Sequence, residues 1–115
     1  MMIRLSAILV ALCLAGPAHA KDTASGNFML PHCETSRNDD PSHCLGIIVG
    51  MGHLGPFLRA DMRFCPPDNS TYKQALRVVL KFLHAHPELL HEEFKVLAHR
   101  ALKEARPCSS PLETR

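Results

Sequence analysis

Residues 72–105 read YKQALRVVLKFLHAHPELLHEEFKVLAHRALKEA, and their rhythm decides the fold. Ala75, Leu76, Val79, Leu80 and Leu83 recur at i, i+3, i+4 and i+7, the period of an amphipathic helix. Val78 and Phe82 widen the stripe, so this helix is expected to be covered on more than one side. His86-Pro87 ends it, because proline disfavours the α region for the residue before it and is well placed to open a new helix. From Pro87 a second helix is expected, with Leu90, Phe94, Leu97, Ala98, Ala101 and Ala105 on its apolar face. Glu92, Glu93, Lys95, Arg100, Lys103 and Glu104 occupy the rest, acids early and bases later, as the helix dipole favours. Pro107 stops it. Two long helices joined by almost no loop must run antiparallel.

Upstream, Pro66 to Ser70 (P-P-D-N-S) is a break, with Asn69 or Ser70 expected to cap the helix that follows. Cys44 to Met62 is apolar with glycines spread through it. A helix from Ser42 to Met51 is expected, broken before Gly55-Pro56. Ile47, Ile48 and Val49 keep a buried strand as the alternative. Ser42, Gly46 and Gly50 lie four apart and put small residues on one face, which lets another backbone approach closely. Phe57, Leu58 and Met62 continue as a shorter helical turn or loop into Cys65. Asn27 to Cys33 reads as a helix kept short by Pro31. Lys21 to Gly26 is expected to fray, Glu34 to Pro41 to form a polar loop, and Ser109 to Arg115 to be a loose tail. The fold class is all-α: a small bundle of about four helices.

The first residues suggest where the chain works. Arg4 supplies a positive start, Leu5 to Leu14 an apolar run, and Ala18-His19-Ala20 a small-x-small cleavage pattern, the features of a secretory signal peptide. The run is shorter than the roughly 20 residues a membrane-spanning helix needs. Residues 1–20 are therefore expected to be removed, leaving residues 21–115 as a single helical domain with no membrane segment. Of the five cysteines, Cys13 leaves with the leader, and Cys33, Cys44, Cys65 and Cys108 remain. An even number in a short exported chain reads as a disulfide framework. Antiparallel packing of the two long helices brings Cys65 near Cys108, and Cys33 and Cys44 flank the turn between the first two helices. That geometry selects Cys33–Cys44 and Cys65–Cys108 from the three possible pairings. Chain-entropy estimates give them roughly 2–3 and about 4 kcal/mol.

Composition narrows the function classes. The formal charge of +2 falls to +1 without Arg4, with both signs interspersed, which argues against nucleic acid as the partner. With no Trp and one Tyr, an aromatic platform for bases or sugars is hard to build. Seven of the eight histidines follow residue 20, yet none is paired at the i, i+4 spacing of H-E-x-x-H. His91 and His99 are eight apart with Lys95 between them. No zinc-type cysteine pair, G-x-S-x-G or glycine-rich phosphate loop occurs. Glu88, Glu92 and Glu93 are the acids expected in a first helical turn. No metal or cofactor and no enzymatic activity are expected, and a binding function is the default. A small periplasmic chaperone or acid-stress protein, loosened as its histidines gain charge, is the alternative.

Certain motifs carry a resemblance: Cys44-x-Gly46-x-x-x-Gly50, Phe64-Cys65-x-Pro67, His86-Pro87-Glu88-x-x-His91 and Pro107-Cys108. With them, the stretch from Phe28 to Cys108 resembles the Tai (Rap) family of immunity proteins, periplasmic antitoxins of type VI secretion amidase effectors. The resemblance implies a small helical protein, often a homodimer, that occludes the active site of an injected peptidoglycan amidase. Gly46, Gly50, His86, Pro87, Glu88 and His91 have structural readings as packing and turn residues. Partner contacts are expected from exposed loops, with Leu54, Phe57, Leu58, Arg59, Asp68 and Asn69 as candidates.

Overall fold

The computed structural model describes residues 21–35 and 43–109 of the chain. The expected leader, Ser42 with most of the expected polar loop before it, and the expected tail after Ser109 lie outside the described residues. Among the described residues four α-helices follow one another: α1 Gly26–Thr35, α2 His43–Leu54, α3 Tyr72–Ala85 and α4 Phe94–Ala105. Short 3-10 turns at Gly55–Phe57, Ala60–Met62 and Pro87–Leu89 join them. The stretch around Ile47 to Val49 is helical, not a strand.

Helix α3 sits centrally and touches the other three. It buries Ala75, Leu76, Val79, Leu80, Phe82 and Leu83, so the widened stripe is covered from several sides, as its sequence implied. Helix α4 buries Phe94, Leu97, Ala98, Ala101 and Leu102 against it, while Ala105 stays exposed. Met29 and Cys33 of α1, Cys44 and Ile48 of α2, and Phe64 complete the core. Each large apolar side chain fully buried there contributes roughly 1.5–3 kcal/mol. Both disulfides form as the helix geometry required. Cys33–Cys44 has a Cα–Cα distance of 5.3 Å and Cys65–Cys108 one of 4.8 Å.

Four local expectations need correction. Helix α1 runs through Pro31; the proline is exposed, and the helix is fixed by the buried Met29 and Cys33 on its other face. The cap of α3 is Thr71, not Asn69 or Ser70. Its hydroxyl accepts from the Gln74 amide and the Gln74 side chain accepts from the Thr71 amide, a complete capping box.

The last helix begins at Phe94, not at Pro87, which opens only a 3-10 turn. The cause lies in the segment expected to fray. Gly26 N–H donates to Glu92 O (2.9 Å), Asn27 N–H to Leu90 O (2.8 Å) and Phe94 N–H to Ala24 O (2.7 Å). These bonds hold a turn at residues 90–92 and the extended Glu93 across the start of α1, with an isolated antiparallel bridge between Ser25 and Glu93. Asp22 anchors the same segment by accepting from the Ala24 and Ser25 amides and the Ser25 hydroxyl.

Candidate functional site

The close approach expected at Gly46 and Gly50 is made elsewhere. A Cβ at either position would meet nothing within 4 Å among the described residues. The tight contact is at Gly52, where a Cβ would lie 2.7 Å from the Tyr72 ring. The contact matters because it brings the end of α2 beside the start of α3. The start of α3 is in turn tied to the end of α4. Cys65 N–H donates to Arg106 O (2.8 Å), and the Arg106 guanidinium donates to the Ser70 hydroxyl (3.1 Å). Three helix ends thus meet at one end of the bundle.

Most of the exposed large apolar side chains belong to this end. Leu54 is 60% exposed, Phe57 86%, Met62 41% and Tyr72 42%; Val96, on the first turn of α4, is the exception. Phe57 closes the 3-10 turn that Gly55-Pro56 begins directly after α2. Leu58 is half-buried, so of the three apolar contact candidates Leu54 and Phe57 are the two that are largely exposed. Arg59 grips Asp61 with two hydrogen bonds, Nε to Oδ1 at 3.1 Å and Nη2 to Oδ2 at 2.7 Å. Arg63 Nε donates to Leu58 O at 2.7 Å. This segment is held to α4 from outside: His99 Nε2 donates to the Met62 carbonyl (2.6 Å) and Lys103 donates to the Asp61 carbonyl.

Asp68 and Asn69 lie on the neighbouring loop, in a cleft whose walls include Ser70, Gln74, Arg77 and Arg106. Asn69 adopts φ 64°, a left-handed conformation that asparagine tolerates better than most residues. Tyr72 opens α3 just after this loop and its ring lies against Gly52 near the end of α2.

The His86-Pro87-Glu88-x-x-His91 motif is at the other end of α3, about 20 Å away by helix rise. His86 caps α3, its amide donating to Leu83 O at 3.3 Å. Its ring lies 4.4 Å from that of Phe82, and Nδ1 is 2.9 Å from Glu88 Oε1. That hydrogen bond holds the Glu88 carboxyl below its usual range. The motif builds a corner, not part of the apolar end.

Sequence reasoning missed Tyr72 and the pair His99 and Lys103. Tyr72 stands just before the α3 stripe begins, and its being the chain's one tyrosine was the available signal. Nothing in the spacing of His99 and Lys103 marked them, because their partners are carbonyls 37 and 42 residues away. Chemically, the end offers exposed apolar side chains on a braced backbone, suited to entering a partner's cleft.

A family model described as Rap1a immunity proteins matches residues 9–108 of the chain. No match was found among curated proteins or solved structures.

Proposed function

The chain belongs to the Rap1a immunity protein family, and from that premise we propose that it neutralises a type VI secreted peptidoglycan amidase in the periplasm by filling the enzyme's cleft. Residues 1–20 direct export and are removed, leaving residues 21–115 as the working domain. The protein needs no catalysis of its own and no cofactor.

The observation that carries this reading is Phe57. An aromatic side chain 86% exposed on a short, hydrogen-bonded turn is costly to leave in water and is the kind of anchor that dominates tight interfaces. Leu54 and Tyr72 extend the apolar surface, and Arg59, Asp68 and Asn69 supply a polar rim. A protease-inhibitor-like contact of about 1,600 Å² is large enough for tight binding when a few such anchors are buried. The open Gly46/Gly50 face of α2 is a separate surface, and we assign it to a second copy of the chain in a homodimer.

The test uses the oxidised mature protein and amidases encoded beside its gene, with binding read by calorimetry and inhibition by peptidoglycan cleavage. The expected result is stoichiometric nanomolar inhibition. Phe57→Asp should weaken it by about thirtyfold or more, the scale of a lost hot spot, while leaving the thermal midpoint unchanged. Inhibition that survives Phe57→Asp moves the contact elsewhere. If no adjacent amidase binds, yet the protein suppresses aggregation of unrelated unfolded proteins at mildly acid pH, the chaperone alternative stands instead.

A further inference from the structure

The two disulfides differ in the property that governs their chemistry. Cys33 and Cys44 are both 0% exposed within the core. Cys65 is exposed and Cys108 half-exposed. A thiolate must reach a sulfur in line to reduce a disulfide, so access ranks the two bridges before any difference in intrinsic stability does.

The accessible bridge is also where the apolar segment is fastened. Residues 58–65 run from Phe57 back to the bundle, where Phe64 is buried in the core, and four further links hold them to α4 and the residues after it. These are the Cys65–Cys108 bond, the Cys65 amide on Arg106 O, His99 on Met62 O and Lys103 on Asp61 O. One link is covalent and three are hydrogen bonds at exposed positions, each worth only about 0.5–1.5 kcal/mol net. The Cys33–Cys44 bridge joins α1 to the first turn of α2 inside the core and is none of these four links.

We infer that Cys65–Cys108 is a redox-sensitive latch on the segment that fastens the Phe57 turn to the bundle: its reduction in the folded protein loosens residues 58–65 around the buried Phe64 side chain and weakens binding through that turn, while Cys33–Cys44 stays oxidised and the bundle stays folded. The consequence for binding rests on the function proposed above; the latch itself does not. The co-reactant is a dithiol. One of its thiolates attacks a sulfur of the Cys65–Cys108 bond and releases the other cysteine as a thiolate. Its second thiol then resolves the mixed disulfide. Both cysteines end as thiols carrying the two protons the dithiol gives up, and the dithiol ends as a disulfide. His99 and Lys103 are positioning residues in the same latch, acting through backbone carbonyls and touching no partner.

The experiment treats the native oxidised protein with increasing dithiothreitol, quenches with an alkylating agent and maps the modified cysteines by mass spectrometry. Alkylation is expected at Cys65 and Cys108 while Cys33 and Cys44 remain bonded and the helical circular dichroism is retained. In that half-reduced form, amide deuterium uptake should rise at residues 58–65, where Leu58 and Met62 donate within the turns. Joint reduction of both bridges, earlier reduction of Cys33–Cys44, or unchanged uptake at 58–65 would overturn the latch. His99→Ala with Lys103→Ala, in which all four cysteines remain, should raise uptake over the same residues, and His99→Gln should restore part of the protection by keeping a side-chain donor. Against an amidase that the oxidised protein inhibits, the half-reduced form should bind at least about tenfold more weakly. Equal binding by both forms defeats the regulatory role. An oxidised protein that shows the latch but inhibits no amidase defeats the functional reading alone.

Discussion

At the scale of single residues, glycine positions separate what spacing can show from what packing decides. The four-residue spacing of Gly46 and Gly50 was legible, yet it says only that a backbone could come close there, not that one does. Among the described residues those positions meet no neighbour, whereas Gly26, in a segment that read as a frayed lead, is wedged in place as Gly52 is. A Cβ at Gly26 would lie 2.8 Å from Leu97 Cδ1 and 3.0 Å from Leu90 O. The carbonyl is backbone and cannot rotate away, and it lies next to the Asn27–Leu90 hydrogen bond. Gly26→Ala is therefore expected to destabilise by about 1–3 kcal/mol, the cost of overpacking. Gly46→Ala should do the reverse in the isolated chain and stabilise by about 0.5–1 kcal/mol through helix propensity alone. Urea unfolding of the two variants checks the pair. A Gly46→Ala protein that is more stable as a monomer but no longer self-associates would place the second copy on that face. Phe57 illustrates the same limit from the other side: its type was visible in the sequence, whereas its exposure depends on Gly55-Pro56 turning the chain away from the core.

At the scale of elements, helix existence followed from periodicity and helix boundaries did not. The α3 stripe and the stop at His86-Pro87 were legible because both are local. The start of α4 was not, because residues 90–94 obey hydrogen bonds to residues 24–27 that lie far away in sequence. The cap of α3 was off by one or two residues for a simpler reason: Pro66 to Thr71 offers several capping side chains, and the choice rests on whether a Gln stands three residues on. Thr71→Ala removes one half of the capping box and should cost about 1 kcal/mol, whereas Ser70→Ala should cost the helix nothing at its cap; thermal midpoints of the two variants test the assignment.

The N-terminal segment also carries a pH signature. The Ser25 hydroxyl, then the Ser25 and Ala24 amides, hold the Asp22 carboxyl below its ordinary value of 3.8. An acid that is stronger when folded favours the folded state once it is ionised. The contribution is complete above 3.8 and disappears as pH falls through the lowered folded value. Glu88, held low first by the His86 hydrogen bond, adds an effect of the same sign below its ordinary 4.5. The thermal midpoint of Asp22→Asn should therefore fall less steeply with acidification below about pH 4 than that of the parent, and the two should differ most at neutral pH.

At the scale of the whole molecule, the cysteine pairing was readable because antiparallel helices leave few ways to connect their ends. The exposed apolar end was not, since it is assembled from the last turn of α2, the first turn of α3 and two loops that share no sequence pattern. The same architecture sets two estimates of disulfide strength against each other. Loop closure ranks Cys65–Cys108 first, because it spans 43 residues against 11 for Cys33–Cys44, or about 4 against about 3 kcal/mol. Burial ranks them the other way. Cys33 and Cys44 have no exposed surface, so replacing both by Ala removes two sulfur atoms from a close-packed core and adds about 1 kcal/mol or more of cavity cost. The outer pair loses little packing when replaced. The two terms together predict that Cys33→Ala with Cys44→Ala costs at least as much stability as Cys65→Ala with Cys108→Ala, despite the shorter loop. Urea unfolding with fitted slopes decides it, because a looser unfolded chain raises the slope while a core cavity destabilises the folded state at fixed slope. If the outer pair proves the costlier, chain entropy rather than packing governs this bundle. Its latch would then also set its global stability, and selective reduction would unfold the protein instead of releasing one segment.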